Sequence, residues 1–295
     1  GQAERTPAHL LHQADFIAAK LIGRGGRSDV NNALKTGFDP EGTDWPGWIE
    51  DLLGRAILPA VDPVGTEWGV LDPDVAASLG LSPRACVCAG TTDSIAAFLA
   101  SAPLETGVAV TSIGSTLAIK VLSDRRVDLA AMGLYSHRVG SAWLIGGASN
   151  TGGAVLTHFF SREELETLSG KIDPARPTGL DYYPLLEPGE RFPINDPTLA
   201  PRLAPRPADD VVFLQGLFEG IARIEAQSYA LIAAQGGPTP SAIFTAGGAS
   251  ANATFRAIRE GALGLPLSHA TETAASVGAA RIALEGRDLG RSARS

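Results

Sequence analysis

The sequence predicts an α/β protein, and two stretches of the 295-residue chain carry this prediction. Apolar residues at 85–89 form a strand pattern, and the loop 90–93 leads directly into a helical pattern over 93–101. Strand patterns over 108–113 and 116–122 then follow one another through a Gly-Ser turn. Helices and strands alternate in the rest of the chain, which is typical of the α/β class.

The first 84 residues are predicted to be helices joined by polar loops. Apolar residues three and four apart predict a helix over 7–21, and Gly23 supplies the left-handed residue that commonly ends a helix. The polar stretch 28–37 opens with good N-cap residues. A second helix is predicted within 45–53, and 61–81 is predicted as a loop with a short helix.

The chain after residue 105 is predicted to form a meander and then an alternation of helices and strands. Further strands of the meander are predicted over 133–139 and 143–146. The remaining elements are predicted in this order: a helix over 152–160, a proline-rich loop over 174–207, a long helix over 211–234, a strand over 242–245, a helix over 252–262, a strand over 265–269, a helix over 271–285 and a frayed tail over 286–295. This is the element order of the ribonuclease-H-like unit of the actin and hexokinase fold. The sequence predicts one complete C-terminal unit of that kind, preceded by the later part of an N-terminal unit.

Charge and composition favour small-molecule chemistry. The net charge is −8, the pI is about 5.2 and no block of basic residues occurs, which argues against nucleic acid and anionic membranes as partners. No apolar run approaches the roughly 20 residues that span a bilayer, and the first residues lack a signal-peptide core. We therefore expect a soluble, cytoplasmic protein. The two cysteines, Cys86 and Cys88, are predicted to be buried thiols without a metal.

Six short motifs follow one another in a single order along the chain. They are His12-Gln13-Ala14-Asp15-Phe16, Ser28-Asp29 with 32–37, Gly90-Thr91-Thr92-Asp93-Ser94, Thr111-Ser112-Ile113-Gly114-Ser115-Thr116, Gly189-Glu190-Arg191-Phe192-Pro193, and Gly247-Gly248-Ala249 with Asn252. In this order they resemble the FGGY carbohydrate kinases, most closely the D-ribulokinase and xylulokinase-like branch. The resemblance runs from about residue 9 to 285, and six motifs in one order are more specific than any single glycine pattern.

The resemblance implies an ATP-dependent and Mg²⁺-dependent phosphorylation of a sugar hydroxyl, with a ketopentose such as D-ribulose or D-xylulose as acceptor. It implies the later part of an N-terminal domain over 1–105, a nucleotide-binding domain over 106–285 and a tail over 286–295. Family members begin with a strand and a first phosphate loop that bears a magnesium-associated aspartate. Nothing in this sequence resembles that part, so we expect that the chain lacks it.

Asp93 is the expected general base. In the family, the matching aspartate accepts the proton of the sugar hydroxyl that attacks the γ-phosphate, a role that suits a carboxylate within hydrogen-bond reach. The alternative is a helix N-cap, because an aspartate directly before the 94–98 segment would cap a helix whatever the function.

Two glycine-containing turns are the expected nucleotide contacts. Gly114, Ser115 and Thr116 resemble the second phosphate loop of the family, although Gly-Ser is also an ordinary hairpin turn. The adenosine motif is matched by Gly247, Gly248, Ala249 and Asn252, although Gly-Gly-Ala is also a common tight connection from strand to helix. The glycine-rich stretch 146–153 is a further candidate for the wall of the nucleotide pocket.

Other polar residues are expected to have structural roles. Turns and caps account for Asp29, Asn32 and Thr36, and a local ion pair is expected for Glu190 and Arg191. No pair of histidines has metal-ligand spacing, so no metal-ligating residue is assigned.

Two other function classes compete with the kinase. One is a truncated, catalytically inactive actin-fold protein that binds nucleotide without turnover. The other is a serine hydrolase, which is disfavoured because 147–152 does not match the Gly-x-Ser-x-Gly pattern of a nucleophile elbow.

Overall fold

The computed structural model describes residues 9–286 and residue 289, and the chain divides into two compact units. The first unit comprises the residues up to Ala100, His137–Ala142 and the residues from Ala274 onward. The second unit comprises Ser101–Ser136 and Trp143–Thr273. These units divide the chain a few residues before the expected boundary at 105, and they place 274–285 in the first unit, whereas the sequence placed it in the second domain.

The first unit begins with five helices and four short strands. They are α1 (Gln13–Ile22), β1 (Arg27–Asp29), α2 (Val30–Leu34), α3 (Gly47–Leu53), β2 (Ala60–Asp62), β3 (Glu67–Val70), α4 (Pro73–Leu79), β4 (Cys86–Cys88) and α5 (Asp93–Ser101). Strands β1 and β2 pair in parallel, and β3 pairs antiparallel with β4. The sequence did not predict β1, β2 or β3, because strands of three or four residues are too short to show an alternating pattern.

The helix ends of the first unit follow the residue chemistry. Gly23, with φ of 71°, ends α1 as predicted. The predicted start at 7 is wrong, because 9–12 are not helical and the helix begins at Gln13, where the Asp15 carboxylate accepts from His12 N–H at 3.0 Å. Residues 7–8 lie outside the described residues. The Asp29 side chain caps α2, and α5 has the predicted bounds. Helix α5 buries one face through Ile95, Ala96, Phe98 and Leu99.

The second unit contains one mixed sheet and four helices. In chain order the elements are β5 (Val108–Ile113), β6 (Leu117–Ser123), β7 (Tyr135–Val139), β8 (Ala142–Ser149), α6 (Gly153–Phe159), α7 (Arg162–Ser169), α8 (Asp210–Ala234), β9 (Ala242–Ala246), α9 (Ala253–Leu263) and β10 (Leu267–His269). The last three residues of β7 and the first of β8 are counted with the first unit. Helix α10 (Ala275–Glu285) follows and belongs to the first unit. The sequence missed α7, which begins at a capping box in which Ser161 and Glu164 bond each other's backbone N–H.

The strands of the sheet lie in the order β10-β9-β5-β6-β8-β7. The predicted antiparallel meander is confirmed for β5, β6 and β8, but β7 lies at the edge instead of between β6 and β8. Strands β9 and β10 pair in parallel, and β9 also runs parallel to β5. Two buried apolar clusters form the core of this unit, one around α8, α6 and α9 and the other around Ile119, Ile145, Ile232 and Ile243.

Helix α8 is the longest described helix, at 25 residues. The spacing of apolar residues along the sequence predicts one apolar face for this helix, and the five residues of that face are all at most 1% exposed: Leu214, Leu217, Phe218, Ile221 and Ile224. In the part of the chain that the structure describes, neither α8 nor any other helix has the length and apolar character needed to cross a bilayer.

The expectation of buried thiols is wrong for Cys86. Its Sγ is exposed and lies 3.1 Å from a carboxylate oxygen of Glu67, and Cys88 is only half-buried. Strand β4 pairs with β3 alone in a two-stranded sheet, so no further strand covers these side chains.

Candidate active site

The two predicted nucleotide turns leave adjacent strands at the same edge of the sheet. Strands β5 and β9 run parallel, and Ser112 of β5 pairs with Ala246 of β9 at their carboxyl ends. The turn 114–116 follows β5, and the turn 247–249 follows β9. Ligands of α/β sheets commonly bind at the carboxyl ends of parallel strands, and the pairing of these two strands brings both motifs there.

A cavity of about 590 Å³ opens beside these two turns. Its walls come from the second unit only, and they are formed by Ile113, Gly114, Ser115, Gly153, Ala154, Leu156, Thr157, Arg162, Leu165, Glu166, Phe218, Gly248, Ala249, Ala251, Asn252 and Phe255. Five of the seven predicted nucleotide-binding residues therefore line one cavity. The other two, Thr116 and Gly247, do not reach its wall.

The turn 114–116 presents polar groups that the rest of the described chain does not satisfy. Gly114 N–H donates to the Thr116 carbonyl at 3.1 Å, which closes the turn. Ser115 and Thr116 are exposed, and no hydrogen-bond partner within residues 9–286 or at 289 is found for the N–H or the hydroxyl of either. Backbone N–H groups and hydroxyls in a tight turn are suitable donors to an anionic oxygen.

The glycines of the turn 247–249 meet two different requirements. Gly247 has φ of 89°, and a Cβ there would collide with the backbone of Ile113, so only glycine fits. A Cβ at Gly248 would have no atom within 4 Å. The first glycine is thus needed by the fold, whereas the second leaves open space in the cavity wall.

The other side of the cavity is apolar and includes two aromatic rings. Phe218 of α8 and Phe255 of α9 stack with their centroids 4.5 Å apart and an interplanar angle of 19°. Leu156 and Leu165 complete this side. The sequence placed Phe218 on the apolar face of α8 but assigned none of these side chains to a cavity, because a helix residue that packs in a core and one that lines a cavity show the same periodicity.

Asn252 lies in the cavity wall and also caps α9. Its Oδ1 accepts from Phe255 N–H at 2.9 Å, and its Nδ2 donates to Ser169 Oγ at 2.7 Å. An amide has two acceptor and two donor positions, so one of each remains for a ligand.

Only the end of the glycine-rich stretch 146–153 reaches the cavity. Gly153 and Ala154 line it, and their N–H groups donate to the carbonyls of Gly114 at 2.8 Å and Ser115 at 3.1 Å. A Cβ at Gly152 would lie 2.6 Å from a backbone atom of Thr116. This stretch therefore supports the turn 114–116 from behind through close backbone contact.

Asp93 is the first residue of α5 and belongs to the first unit. Its carboxylate is exposed and accepts from Ser94 N–H at 2.7 Å. The alternative that Asp93 is the N-cap does not hold, because the Thr92 carbonyl accepts the first helical bonds, from Ile95 at 3.1 Å and Ala96 at 3.0 Å. An exposed carboxylate at the positive end of a helix is available to accept a proton from a bound hydroxyl.

A buried polar cluster in the first unit contacts the loop that precedes Asp93. Asp29 accepts from the N–H groups of Asn31 and Asn32, and burial raises its pKa to about 6. Burial also raises the pKa of Asp15. Cap duty for Asp29, the alternative foreseen from sequence, is what the structure shows.

Asn31 is a member of this cluster that the sequence reading missed. Its amide donates to Thr91 Oγ1 at 3.0 Å and to the Arg138 carbonyl at 2.8 Å, and it accepts from Arg138 N–H at 2.8 Å. These bonds attach Asn31 to the loop before Asp93, 60 positions away in the chain, and to Arg138, 107 positions away. Thr36 is also engaged, with its Oγ1 2.8 Å from His12 Nε2.

The expected ion pair between Glu190 and Arg191 is not what holds this segment. Glu190 is buried, and its carboxylate accepts from the hydroxyls of Ser149 and Tyr183 and from the N–H groups of Asn150 and Arg191. The expectation is wrong because a glutamate beside an arginine in sequence can turn its carboxylate toward donors from distant segments.

The described residues contain no cluster of three or more histidine, cysteine, aspartate or glutamate side chains that could hold a metal ion.

Comparison with known proteins matches residues 109–285 to the C-terminal domain of the FGGY family of carbohydrate kinases. The gluconokinase of Bacillus licheniformis is 27% identical over 199 residues, which cover 65% of this chain and 36% of that protein. A xylulose kinase structure from Brucella ovis superposes with a TM-score of 0.84 at 20% identity, covering 95% of this chain and 60% of that one. The glycerol kinase of Plasmodium falciparum with ADP superposes with a TM-score of 0.79 at 16% identity, covering 96% and 59%.

These matches establish the fold and the family. The structural likeness confirms the predicted actin and hexokinase-like fold. The chain spans about a third of the length of the curated gluconokinase and about 60% of the solved kinases. Since the family match covers more than half of its residues, the chain belongs to the FGGY family of carbohydrate kinases.

Proposed function

We propose that this chain binds ATP in the cavity of its second unit and contributes to the phosphorylation of a sugar hydroxyl. The observation that carries the proposal is the cavity of about 590 Å³ at the carboxyl ends of β5 and β9. Its lining combines the unsatisfied donors of the turn 114–116 with apolar side chains that include the Phe218 and Phe255 rings, and a nucleotide needs both polar and apolar contacts.

The phosphates of ATP are assigned to the turn 114–116. Ser115 and Thr116 have exposed N–H groups and hydroxyls, and the turn is held from behind by the first residues of α6. A preorganised turn of this kind holds a phosphate without rearranging when the nucleotide binds.

The adenosine is assigned to the turn 247–249 and to Asn252. Gly248 lets the backbone lie close to a flat ligand, and the Phe255 ring lines the same part of the cavity. The remaining donor and acceptor positions of Asn252 suit an adenine or ribose edge.

Asp93 is assigned the role of general base. Its exposed carboxylate would accept the proton of the sugar hydroxyl as the oxygen attacks the γ-phosphate. Mg²⁺ bound to ATP would neutralise part of the phosphate charge.

The acceptor is proposed to be a ketopentose such as D-ribulose or D-xylulose, and the protein is proposed to act in the cytoplasm. Similar proteins bear the names of gluconate, xylulose and glycerol kinases, so these substrates form the set to be compared. The loss of one hydrogen bond to a substrate hydroxyl strongly changes how an enzyme discriminates between sugars. Turnover therefore has to be measured with each of these substrates.

A nucleotide-binding protein without turnover is the second candidate. It is favoured by one observation, namely that every residue of the cavity wall belongs to the second unit. Nucleotide binding can then occur without any residue of the first unit.

Calorimetry with ADP and with ATP·Mg²⁺ tests nucleotide binding, and Gly248→Ala sharpens the test. An added methyl meets no protein atom at this position, so the fold should keep its stability. ADP affinity should fall about tenfold, because a methyl forced into a filled contact costs about 1–3 kcal/mol. The control is Gly261→Ala in α9, where a Cβ is equally unobstructed but lies outside the cavity wall.

Turnover with D-ribulose, D-xylulose, gluconate and glycerol separates the two candidates. Nucleotide binding together with transfer to one of these acceptors supports the kinase, and binding without transfer supports the second candidate. No binding of ADP or ATP, or equal affinities for ADP in Gly248→Ala and the parent chain, would contradict the assigned site.

A further inference from the structure

Glu190 lies outside the cavity wall, yet its carboxylate gathers donors from two separate segments of the second unit. It is 2% exposed. From the 149–150 segment, Ser149 Oγ donates to Oε2 at 2.5 Å and Asn150 N–H donates to Oε1 at 2.7 Å. Tyr183 Oη donates to Oε2 at 2.9 Å, and Arg191 N–H donates to Oε1 at 2.8 Å. Phe192 N–H also donates to Oε1, at 3.5 Å. All five donors are neutral groups, so hydrogen bonds stabilise the buried carboxylate.

The segment that Glu190 holds continues directly into the support of the turn 114–116. Ser149 Oγ also accepts from Thr151 N–H at 3.1 Å, and the Thr151 carbonyl accepts from Leu117 N–H at 2.7 Å. Two and three residues further on, Gly153 and Ala154 donate to the carbonyls of Gly114 and Ser115. Hydrogen bonds at both ends of 149–154, joined by its short backbone, thus connect the Glu190 carboxylate to the proposed phosphate turn.

The 149–154 segment contains two adjacent glycines, so its own conformational preferences do not fix its position. Gly152 and Gly153 supply no side chains, and their Cα positions lie against the backbone of 114–116, where a Cβ would come within 2.6 Å and 2.5 Å of it. Glycine lowers the cost of such an approach but raises the conformational entropy that must be lost. Buried hydrogen bonds at the start of the segment reduce this freedom in the folded protein.

We infer that Glu190 is a positioning residue, which fixes the 149–154 segment and thereby sets the geometry of the turn 114–116 for nucleotide phosphates. The expected effect on nucleotide affinity rests on the proposed function, whereas the link between Glu190 and the turn 114–116 exists without a nucleotide. Tyr183 donates to the same carboxylate but makes no hydrogen bond to 149–154, and burial together with the nearby Glu190 carboxylate raises the pKa of Tyr183 and keeps its hydroxyl protonated as a donor.

Three variants test the link. Glu190→Gln keeps the shape of the side chain but turns an amide toward two hydroxyl donors. Ser149→Ala removes one of the two bonds between Glu190 and the 149–154 segment, together with the bond from Thr151 N–H to the Ser149 hydroxyl. Tyr183→Phe is the matched control, because it removes a hydroxyl donor from the same Oε2 atom but leaves both bonds to 149–150 in place.

Two readouts are measured on the whole chain. Hydrogen exchange of the amides at 150–154 reports the link without any ligand, and calorimetry with ADP reports its consequence. We expect exchange in this segment to accelerate about tenfold or more in Glu190→Gln and Ser149→Ala, and ADP affinity to fall by a similar factor, since buried charge-assisted bonds are lost. In Tyr183→Phe both quantities should stay within about twofold of the parent chain.

The outcomes separate this inference from the proposed function. Unchanged exchange at 150–154 in Glu190→Gln and Ser149→Ala, or equal acceleration in all three variants, overturns the inference. Accelerated exchange without any loss of affinity in a chain that binds ADP also overturns it. Accelerated exchange in the two variants together with no ADP binding by the parent chain supports the link and contradicts the proposed function.

Discussion

Arg259 and Glu225 form an ion pair in which both side chains are completely buried. Arg259 Nε donates to Oε2 at 2.6 Å and Nη2 donates to Oε1 at 2.8 Å, so the guanidinium and carboxylate meet in a bidentate arrangement. The pair also bonds both central strands, through Thr245 of β9 and Thr111 of β5. These two threonines are paired across the sheet, three residues or fewer from the start of each nucleotide turn.

Breaking this pair should destabilise the second unit strongly. Arg259→Met leaves the Glu225 carboxylate buried without its cation, which costs about 3–5 kcal/mol. Chemical denaturation measures the loss. Arg176→Met, at an exposed pair with Asp173, should cost less than about 1 kcal/mol. Adding Glu225→Met to Arg259→Met should recover part of the stability, and a double variant as unstable as the sum of the two single changes would contradict this account.

Asp93→Asn should abolish sugar phosphorylation and spare nucleotide binding. The amide cannot accept the hydroxyl proton, so turnover should fall about 10²–10⁴-fold while ADP affinity is retained. Turnover is measured in a form of the protein whose parent version phosphorylates a sugar. Asp74→Asn is the control for the lost helix-end charge, because Asp74 is exposed in the first turn of α4 in the same unit. Turnover that survives in Asp93→Asn removes Asp93 from the mechanism.

Gly278→Ala should destabilise the first unit, because α10 packs on α5 with no room for a side chain. A Cβ at Gly278 would collide with the carbonyl oxygen of Ala96, and Arg281 donates to the Leu99 carbonyl one turn further along at 2.7 Å. The expected loss is about 3 kcal/mol, the upper part of the range for overpacking.

Gly261→Ala provides the matched comparison in thermal and chemical denaturation. Its Cβ would be unobstructed in the middle of α9, so the variant should be more stable by about 0.5–1 kcal/mol. If both alanine variants change stability in the same direction, the close packing of α10 on α5 is not the cause.

Stability should fall as the pH rises from about 4 to about 6, because of Asp29. Burial raises its pKa from 3.8 to about 6, so in this range the folded chain holds a proton that the unfolded chain has released. The stabilisation is complete below the unfolded pKa and is lost through the folded pKa, a change of roughly 3 kcal/mol. The raised pKa of Asp15 acts in the same direction.

Denaturation at several pH values, repeated with Asp29→Asn, checks this dependence. Asparagine is also a good N-cap and can still accept from Asn31 and Asn32 N–H, so the fold should persist with a flatter pH profile. Asp72→Asn makes the same exchange at the N-cap of α4 and reports the effect of the cap alone. An equally steep profile in Asp29→Asn would assign the pH dependence to other groups.

Several elements of both units were predictable from the sequence, because their signals are local. The bounds of β5 and α5, the apolar face of α8 and the capping glycine of α1 were all predicted correctly. Periodicity, capping residues and glycine act over a few positions, so they are visible along the chain. The order of the motifs also indicated the family that the comparison then established.

The sequence by itself determined the α/β class, the long and strongly periodic elements, and the residues that form the two turns. Only the tertiary structure decided which of those residues share one cavity, and that Phe218 and Phe255 complete it. It also decided the hydrogen-bond partners of Asn31, Glu190 and Arg259. The bonds to Arg138, Ser149 and Glu225 join residues that are 107, 41 and 34 positions apart in the chain. The physical reason is that periodicity and propensity act between neighbours in the chain, whereas pairing of short strands and burial of polar groups depend on which distant segments the fold brings together.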